Sequence, residues 1–190
     1  MIVLLNGLSR SGKDTAAKVF VDKHSLCHVK ISKTVKDVVS AMFGVSLEEL
    51  EDDRKDQPFK AQPFKAQQIS PRDMMKFIGT HVGQLEIERL LPGSNRCFWI
   101  NRLIDRMDPG KNYVISDYRY PHEFVALIRA FPDTPVFRVR LKPEFPSFSP
   151  PAVMDDTETE MPYDYLLVNK DPQQLQEDIE RLFKTFKIFY

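Results

Sequence analysis

Residues 7 to 15 read Gly7-Leu8-Ser9-Arg10-Ser11-Gly12-Lys13-Asp14-Thr15, and this stretch decides the fold. It follows an apolar, partly β-branched run at residues 2–5 and precedes apolar residues at helical spacing up to about residue 24. The glycines let the backbone curl so that its N–H groups point at phosphate oxygens, and a helix N-terminus adds positive potential. A strand, a glycine-rich loop and a helix in this order predict a phosphate-binding loop.

The loop departs from the usual pattern at one position. Residues 7 to 13 satisfy G-x-x-x-x-G-K, and Lys13 is expected to reach the β- and γ-phosphates of ATP. The next residue is Asp14, where a serine or threonine usually ligates Mg²⁺. We predict that residues 7–15 bind ATP, and that the Asp14 carboxylate, a shifted Thr15 or a water molecule takes the place of that hydroxyl.

A second acid follows another apolar run. Residues 113–116 end at Asp117, and Arg119 comes two positions later. In phosphate-loop proteins such an acid holds Mg²⁺ or its waters, and an arginine beside it is placed to touch the transferred phosphoryl group. An isolated aspartate at a strand end is more often a turn residue or a helix cap. The phosphate loop upstream favours Asp117 as a metal ligand.

Strands and helices alternate along the rest of the chain. Further strands are predicted at residues 28–31, 136–141 and 165–168, which with the first two gives an α/β fold with a five-stranded parallel sheet between layers of helices. Sites in such sheets form at the carboxyl ends of the strands. Functional residues are therefore expected after Leu5, Ser116, Leu141 and Val168. Helices are predicted at residues 13–24, 34–43, 71–91, 96–107, 122–131 and 172–186, with Ser46 and Ser70 as N-caps.

The length favours one domain. A chain of 190 residues builds one good-sized core, here assigned to residues 1–50 and 108–190, with a helical insertion at about 51–107. The insertion contains the tandem repeat Gln-Pro-Phe-Lys-Ala at residues 57–66. We interpret the repeat as a duplicated surface loop; a flap that places Lys60 and Lys65 on phosphate is the alternative.

Composition narrows the class of protein. The 27 basic and 27 acidic side chains give no net charge, which argues against a protein that coats nucleic acid. Cys27 and Cys97 fit neither a disulfide framework nor a metal spacing, so a reducing cytoplasm is the expected compartment. The apolar start is too short for a signal peptide or a membrane span.

The order of these motifs resembles that of the deoxynucleoside monophosphate kinases of tailed phages and other large DNA viruses. The resemblance runs along nearly the whole chain, and the Arg-Ser-Gly-Lys-Asp-Thr run with its unusual aspartate is typical of that group. The other matching positions are residues 31–45, Arg72, Met75, Gly79, Thr80, Trp99, Asp117, Arg119, His122, Glu123, Thr159, Glu160, Asp164 and Asn169.

The resemblance implies a nucleoside-monophosphate-kinase-like phosphate-loop fold and ATP-dependent, Mg²⁺-assisted phosphorylation of a deoxynucleoside monophosphate. On that basis Arg10 joins Lys13 on the β- and γ-phosphates, and Lys36, Arg72 and Arg119 hold the acceptor phosphate. Trp99 stacks on or walls in the base, and Glu160 orders the base or ribose or pairs with a lid arginine. The proline-rich residues 142–163 form a lid, with Arg138, Arg140 and Lys142 swinging onto the phosphates. A homodimer in the host cytoplasm is also suggested.

Simpler interpretations stand beside each of these roles. Lys36 and Arg72 are residue types that are common on solvated helix faces, and Trp99 is a residue type that is common in a core. The spacing of Arg138 and Arg140 also fits an edge strand whose alternate side chains point outward.

Two other functions compete. Animal-type phosphomevalonate kinases share the Ser-Gly-Lys-Asp run, the Asp-x-Arg and an acidic run found here at residues 155–160. Trp99, Gly79-Thr80 and His122-Glu123 favour the nucleotide kinase. A non-catalytic ATP-binding module is the second competitor, but such a module does not need the acceptor-side arginines.

Overall fold

The computed structural model describes residues 1–60, 66–144 and 161–188. These residues form two compact units. The first consists of Met1–Lys30 and Arg106–Tyr190, and the second is Ile31–Asp105. Most of the predicted lid, including Glu160, and the second copy of the pentapeptide through Lys65 lie outside the described residues, so those predictions stay untested.

The first unit is built on one parallel sheet. Its strands are β1 (Ile2–Asn6), β2 (Cys27–Val29), β3 (Tyr113–Ile115), β4 (Val136–Pro143) and β5 (Tyr165–Asn169). They stand in the order β2-β3-β1-β4-β5, and every neighbouring pair is parallel. The prediction of a five-stranded parallel sheet is therefore confirmed, with strand ends shifted by one or two residues.

The helices follow the predicted pattern closely. The first and last helices coincide with the predicted ranges, whereas the predicted helix at 96–107 is shorter because residues 94–97 form a turn, closed by a bond from Cys97 N to Ser94 O. The helices are α1 (Lys13–His24), α2 (Lys33–Phe43), α3 (Leu47–Glu51), α4 (Pro71–Lys76), α5 (Ile87–Leu90), α6 (Phe98–Ile104), α7 (Pro121–Ala130) and α8 (Pro172–Phe186).

Helices α1 and α8 cover one face of the sheet. Successive side chains of a strand point to opposite faces, so Val3 and Leu5 of β1 face the same side. On that side they join Phe20 of α1 and Phe186 of α8 in one buried cluster. Each fully buried aromatic or aliphatic side chain contributes about 1.5–3 kcal/mol, so this layer fixes where α1, and with it the loop before it, lies.

Helix α7 covers the opposite face. Arg138 of β4 alternates with the core residue Val139, and its guanidinium carbon lies 4.5 Å from the centre of the Phe124 ring of α7. Leu127 of the same helix is fully buried. Helices on both faces make the unit a three-layer α/β sandwich.

The second unit is helical. Both predicted caps are present: Ser46 accepts from Glu49 N, and Ser70 accepts from Asp73 N while Pro71 occupies the first turn. The predicted helix at 71–91 is continuous, but its middle, Phe77–Glu86, is a π-helix rather than an α-helix. A wider helical turn there accommodates Trp99, whose indole Nε1 donates to Gly79 O at 2.7 Å. Hydrophobic periodicity did not predict this change.

Candidate functional site

The loop at residues 7–12 is fixed by two glycines that no other residue can replace. Gly7 has a φ of 144°, and a Cβ there would lie 2.3 Å from Leu141 O of β4. Gly12 has a φ of 96°, and a Cβ there would lie 2.3 Å from Asn169 Nδ2. Asn169, at the end of β5, also donates to Ser11 O at 3.1 Å. The ends of β4 and β5 therefore shape the loop after β1, as expected for the carboxyl edge of a parallel sheet.

Lys13 lies over this loop. Its ammonium group donates to Leu8 O at 2.7 Å and also to Gly7 O. Gly12 at the N-cap position and Asp14 in the first turn place the loop at the positive end of α1. A lysine, backbone N–H groups and a helix N-terminus together favour the binding of an anion such as a phosphate chain.

Asp14 belongs to a polar cluster. Its Oδ1 lies 3.0 Å from Lys30 Nζ and accepts from Ser116 Oγ at 3.1 Å. Partial burial opposes ionisation, but the bond and charge of Lys30 and the bond from Ser116 outweigh it, so the pKa of Asp14 is lowered. His28 of β2 completes the cluster, since its Nε2 lies 2.8 Å from Ser116 Oγ.

The segment after β3 is held in place from two sides. Asn6 at the end of β1 donates through Nδ2 to Tyr118 O at 3.4 Å. Glu123 of α7 accepts from Arg119 N at 2.8 Å and from Tyr120 N at 3.0 Å. Burial raises the pKa of Glu123 to about 8, although both backbone bonds favour the charged form. Glu123 thus fixes the backbone that carries Asp117 and Arg119.

Two polar atoms beside the loop are unsatisfied. Asn6 Oδ1 and Ser11 Oγ are buried and make no hydrogen bond to any residue that the structure describes. Buried polar atoms normally have partners, and each exception needs an explanation such as strain, a catalytic role, a water molecule or an ion. These orphan acceptors and donors are consistent with a polar ligand at the loop.

Two acidic side chains of this region are of the kind that could hold Mg²⁺. Asp14 and Asp117 offer carboxylate oxygens, the hard donors that Mg²⁺ prefers. No group of three or more acidic, histidine or cysteine side chains lies together among the described residues. Binding of the ion by Asp14 and Asp117 stays a prediction.

The cations predicted for the lid already make contacts. Arg138 binds the Asp164 carboxylate through Nη2 at 2.7 Å and Nε at 3.2 Å. The guanidinium carbon of Arg140 lies 5.6 Å from the centre of the Tyr163 ring. Arg140 and Tyr163 line a cavity of about 270 Å³ at the ends of β4 and β5, together with Leu8 of the loop. The other lining residues are Leu141, Lys142, Pro143 and Leu166.

The residues predicted for the acceptor lie mostly in the helical unit. Lys36 pairs with Glu51, and Arg72 binds the Asp56 carboxylate through Nε and, at 3.0 Å, through Nη2. Trp99 is 7% exposed and packs against Gly83. A core role for Trp99 is thereby established within this unit, and contacts of Lys36, Arg72 and Trp99 with an acceptor stay predictions.

Lys30, His28 and Ser116 are not among the site residues predicted from the sequence. The expectation that functional residues follow the strands covers four strands and leaves out the edge strand β2. The strand predicted at residues 28–31 contains both His28 and Lys30, whereas β2 ends at Val29 and Lys30 directly follows it. For Ser116, the position beside Asp117 was the available signal.

Comparison with known proteins identifies the fold. No protein-family model matches the chain, and no curated protein matches it in sequence. An unliganded sugar kinase from Janibacter sp. HTCC2649 is similar in structure, with a TM-score of 0.50 and 18% identity over 98% of this chain and 94% of that one. The chain shares the α/β fold of this structure.

Two further solved structures are more distant. An APS kinase mutant from Mycobacterium tuberculosis is 12% identical over 96% of both chains, with a TM-score of 0.48. Shikimate kinase from Aquifex aeolicus is 11% identical over 97% of this chain and 96% of its own, also with a TM-score of 0.48. At these identities the likeness extends to the fold alone.

No helix among the described residues has the length and apolar character needed to cross a bilayer.

Proposed function

We propose that the chain is an ATP-dependent kinase that phosphorylates a deoxynucleoside monophosphate to the diphosphate. One observation carries the kinase assignment: the Lys13 loop after β1 lies at the same sheet edge as the Asp117-x-Arg119 segment after the adjacent strand β3. A phosphate acceptor is already an anion, so the reaction needs no general base. Catalysis then consists of positioning and charge neutralisation, which such residues supply.

The donor side of the reaction is assigned to the first unit. Residues 7–15 bind the ATP phosphates, with Lys13 and Arg10 on the β- and γ-groups. Asp14 and Asp117 would hold Mg²⁺ directly or through water, and the bound ion would supply positive charge beside the phosphates.

The acceptor side rests on the sequence resemblance. Arg119, Arg72 and Lys36 bind the monophosphate, for which the planar fork of arginine is well suited. Trp99 forms a wall beside the base, and Glu160 orders the base or ribose. Residues 142–163 close as a lid and bring Arg138, Arg140 and Lys142 to the phosphates. A cytoplasmic homodimer encoded by a virus belongs to the same proposal.

An ADP-release assay tests the proposal. ATP and Mg²⁺ are supplied with dTMP, dGMP, dCMP, dAMP or phosphomevalonate in separate reactions. Turnover with a deoxynucleotide but not with phosphomevalonate supports the proposed acceptor. Turnover with phosphomevalonate alone would keep the kinase and replace the acceptor, and ATP binding without turnover on any of the five would leave a non-catalytic module.

The Lys13→Ala variant tests the phosphate-loop assignment separately. We expect turnover to fall at least about 100-fold, because a charge that neutralises the transferred group is lost. Lys18→Ala is the control, since Lys18 lies on α1 in an exposed pair with Asp22. Unchanged turnover in Lys13→Ala would contradict the assignment of residues 7–15.

A further inference from the structure

We propose that Ser116 is a positioning residue that holds the Asp14 carboxylate in the orientation in which it would serve Mg²⁺ at the phosphate loop. The proposal rests on the proposed function only as far as Mg²⁺-dependent ATP binding, and it is independent of which acceptor is phosphorylated. The usual loop carries a serine or threonine directly after the lysine. Here that position is an acid, and a buried hydroxyl from β3 reaches it instead.

The geometry favours an anchor. The Asp14 side chain is 72% exposed, whereas Ser116 is only 3% exposed. An exposed carboxylate normally samples several rotamers, and holding it in one orientation requires a partner that is itself fixed. Ser116 is such a partner because it lies at the end of a fully buried strand, 3.1 Å from Asp14 Oδ1.

The direction of each hydrogen bond follows from proton counting. The Asp14 Oδ1 oxygen accepts from Ser116 Oγ, and this bond uses the single hydroxyl hydrogen of Ser116. The 2.8 Å contact between Ser116 Oγ and His28 Nε2 then requires the ring nitrogen to be the donor. Both hydrogen bonds therefore have a defined direction: His28 Nε2–H donates to Ser116 Oγ, and Ser116 Oγ–H donates to Asp14 Oδ1.

Lys30 reinforces the same arrangement. Its Nζ contacts Oδ1, the oxygen that Ser116 also contacts. Neither bond uses Oδ2. One oxygen of Asp14 is thus anchored from β3 and from the residue after β2, and the other is left to serve Mg²⁺ or its water. Partners that orient a metal-binding side chain in this way are worth roughly 10–100-fold in metal affinity in other proteins.

Calorimetric titration of ATP, with Mg²⁺ and separately with excess EDTA, tests the role of Ser116. In Ser116→Ala we expect affinity for Mg²⁺-ATP to fall about 10-fold, with less than about a twofold change for metal-free ATP. Ser116→Thr keeps a hydroxyl and should recover most of the loss. Ser25→Ala, an exposed serine after α1, is the matched control and should change neither value.

Three results would overturn the proposal. Equal losses with and without Mg²⁺ would make Ser116 a purely structural residue. Failure of Ser116→Thr to recover affinity would show that the hydroxyl is not the group that matters. Absence of any Mg²⁺ effect on ATP binding by the unaltered protein would remove the metal from the site. A protein that binds Mg²⁺-ATP but phosphorylates none of the acceptors would contradict the proposed function and leave this inference standing.

The direction of the hydrogen bond from His28 to Ser116 can be tested by NMR. The protein has four histidines, so ¹⁵N spectra at about pH 8, where an ordinary histidine of pKa about 6.5 is neutral, can be assigned with a His28→Gln variant. We expect the His28 hydrogen on Nε2 in the unaltered protein and a loss of that preference in Ser116→Ala. A hydrogen on Nδ1 with Nε2 bare would contradict the proposed order of donors.

Discussion

Lys30 Nζ lies 3.0 Å from Asp14 Oδ1, so the acid inside the phosphate loop is neutralised by the lysine that follows β2. The Lys30 side chain is only 25% exposed, and its charge is therefore screened less than that of a surface lysine. An unpaired carboxylate at this position would repel a phosphate chain. The ion pair makes an aspartate compatible with an anion site.

Replacing Lys30 by methionine should weaken ATP binding about 10-fold, because the negative charge of Asp14 then faces the phosphates without compensation. The loss should be larger without Mg²⁺ than with it, since the cation can take over part of the neutralisation. This order is the reverse of that expected for Ser116→Ala. Lys18→Met is the control, and equal affinities of Lys30→Met and the unaltered protein would contradict the prediction.

Glu123 should make stability depend on pH. Burial raises its pKa from 4.5 to about 8, so the folded protein binds more protons than the unfolded chain between these values. Stability contributed by the protonated group is therefore complete below about pH 4.5 and is lost as pH rises through 8, by at most about 1.4 kcal/mol per pH unit.

The comparison with Glu123→Gln isolates this effect. The amide oxygen can still accept from Arg119 N and Tyr120 N, but it carries no charge. We expect the melting temperature of the variant, relative to the unaltered protein, to rise steadily between pH 6 and 8.5. Other titrating groups such as His24 are common to both proteins and cancel in the difference. Glu177→Gln is the control, since the Glu177 side chain is exposed on α8, and a constant difference across this range would refute the assigned pKa.

Asp164→Asn should loosen the start of β5. The Asp164 carboxylate accepts from the guanidinium and the backbone N–H of Arg138, and the two residues are 33% and 22% exposed. Burial raises the pKa of Asp164, but the bonds from Arg138 lower it by more, so the net effect is a lowered pKa. Loss of a charged, two-point contact should cost about 1.5–3 kcal/mol in the free energy of unfolding.

The exposed pair of Lys33 and Asp37 is the comparison for the pair of Arg138 and Asp164. Lys33 and Asp37 form an i, i+4 contact at 3.0 Å in which the side chains are 64% and 39% exposed. Asp37→Asn should cost only about 0.3–0.5 kcal/mol. Denaturant titration measures both values, and a cost for Asp164→Asn no greater than that for Asp37→Asn would contradict the prediction.

Local patterns predicted the sheet and the loop. Short, largely apolar runs predicted the five strands of the observed sheet, and Ser70-Pro71 predicted the start of α4, because burial and capping act within a few residues. The Asp14 cluster could not be predicted in this way. Residues 14, 28, 30 and 116 are brought together only by strand order, which places β3 between β1 and β2. Sequence spacing carries no information on such long-range contacts.

The π-helix marks a second limit. Residues 71–90 carry apolar side chains that suit an α-helix, and the local sequence gave no reason to expect a wider turn at Phe77–Glu86. Trp99 packs on this segment, since its indole occupies the space beside Gly83 and donates to Gly79 O. Packing against a residue outside a short helical segment commonly outweighs the local preference of that segment.

Gly83→Ala should destabilise the helical unit and move Trp99. A Cβ at Gly83 would lie 2.0 Å from Trp99 Nε1 and 2.3 Å from Cε2, so the indole must shift and lose part of its burial. Overpacking of this kind typically costs about 1–3 kcal/mol. Trp99 is the only tryptophan of the chain, so fluorescence emission reports on it alone. We expect a red shift of the emission and a lower melting temperature.

Gly79→Ala is the matched control on the same helix. A Cβ there would meet Val35 at 3.7 Å, an ordinary contact, and the carbonyl that accepts from Trp99 is retained. Alanine is favoured over glycine inside a helix by about 0.5–1 kcal/mol, so this variant should be as stable as the unaltered protein or more stable. Equal melting temperatures and emission maxima for both variants would show that Trp99 does not pack on Gly83. A shift in Gly83→Ala alone would establish that Trp99 packs on Gly83.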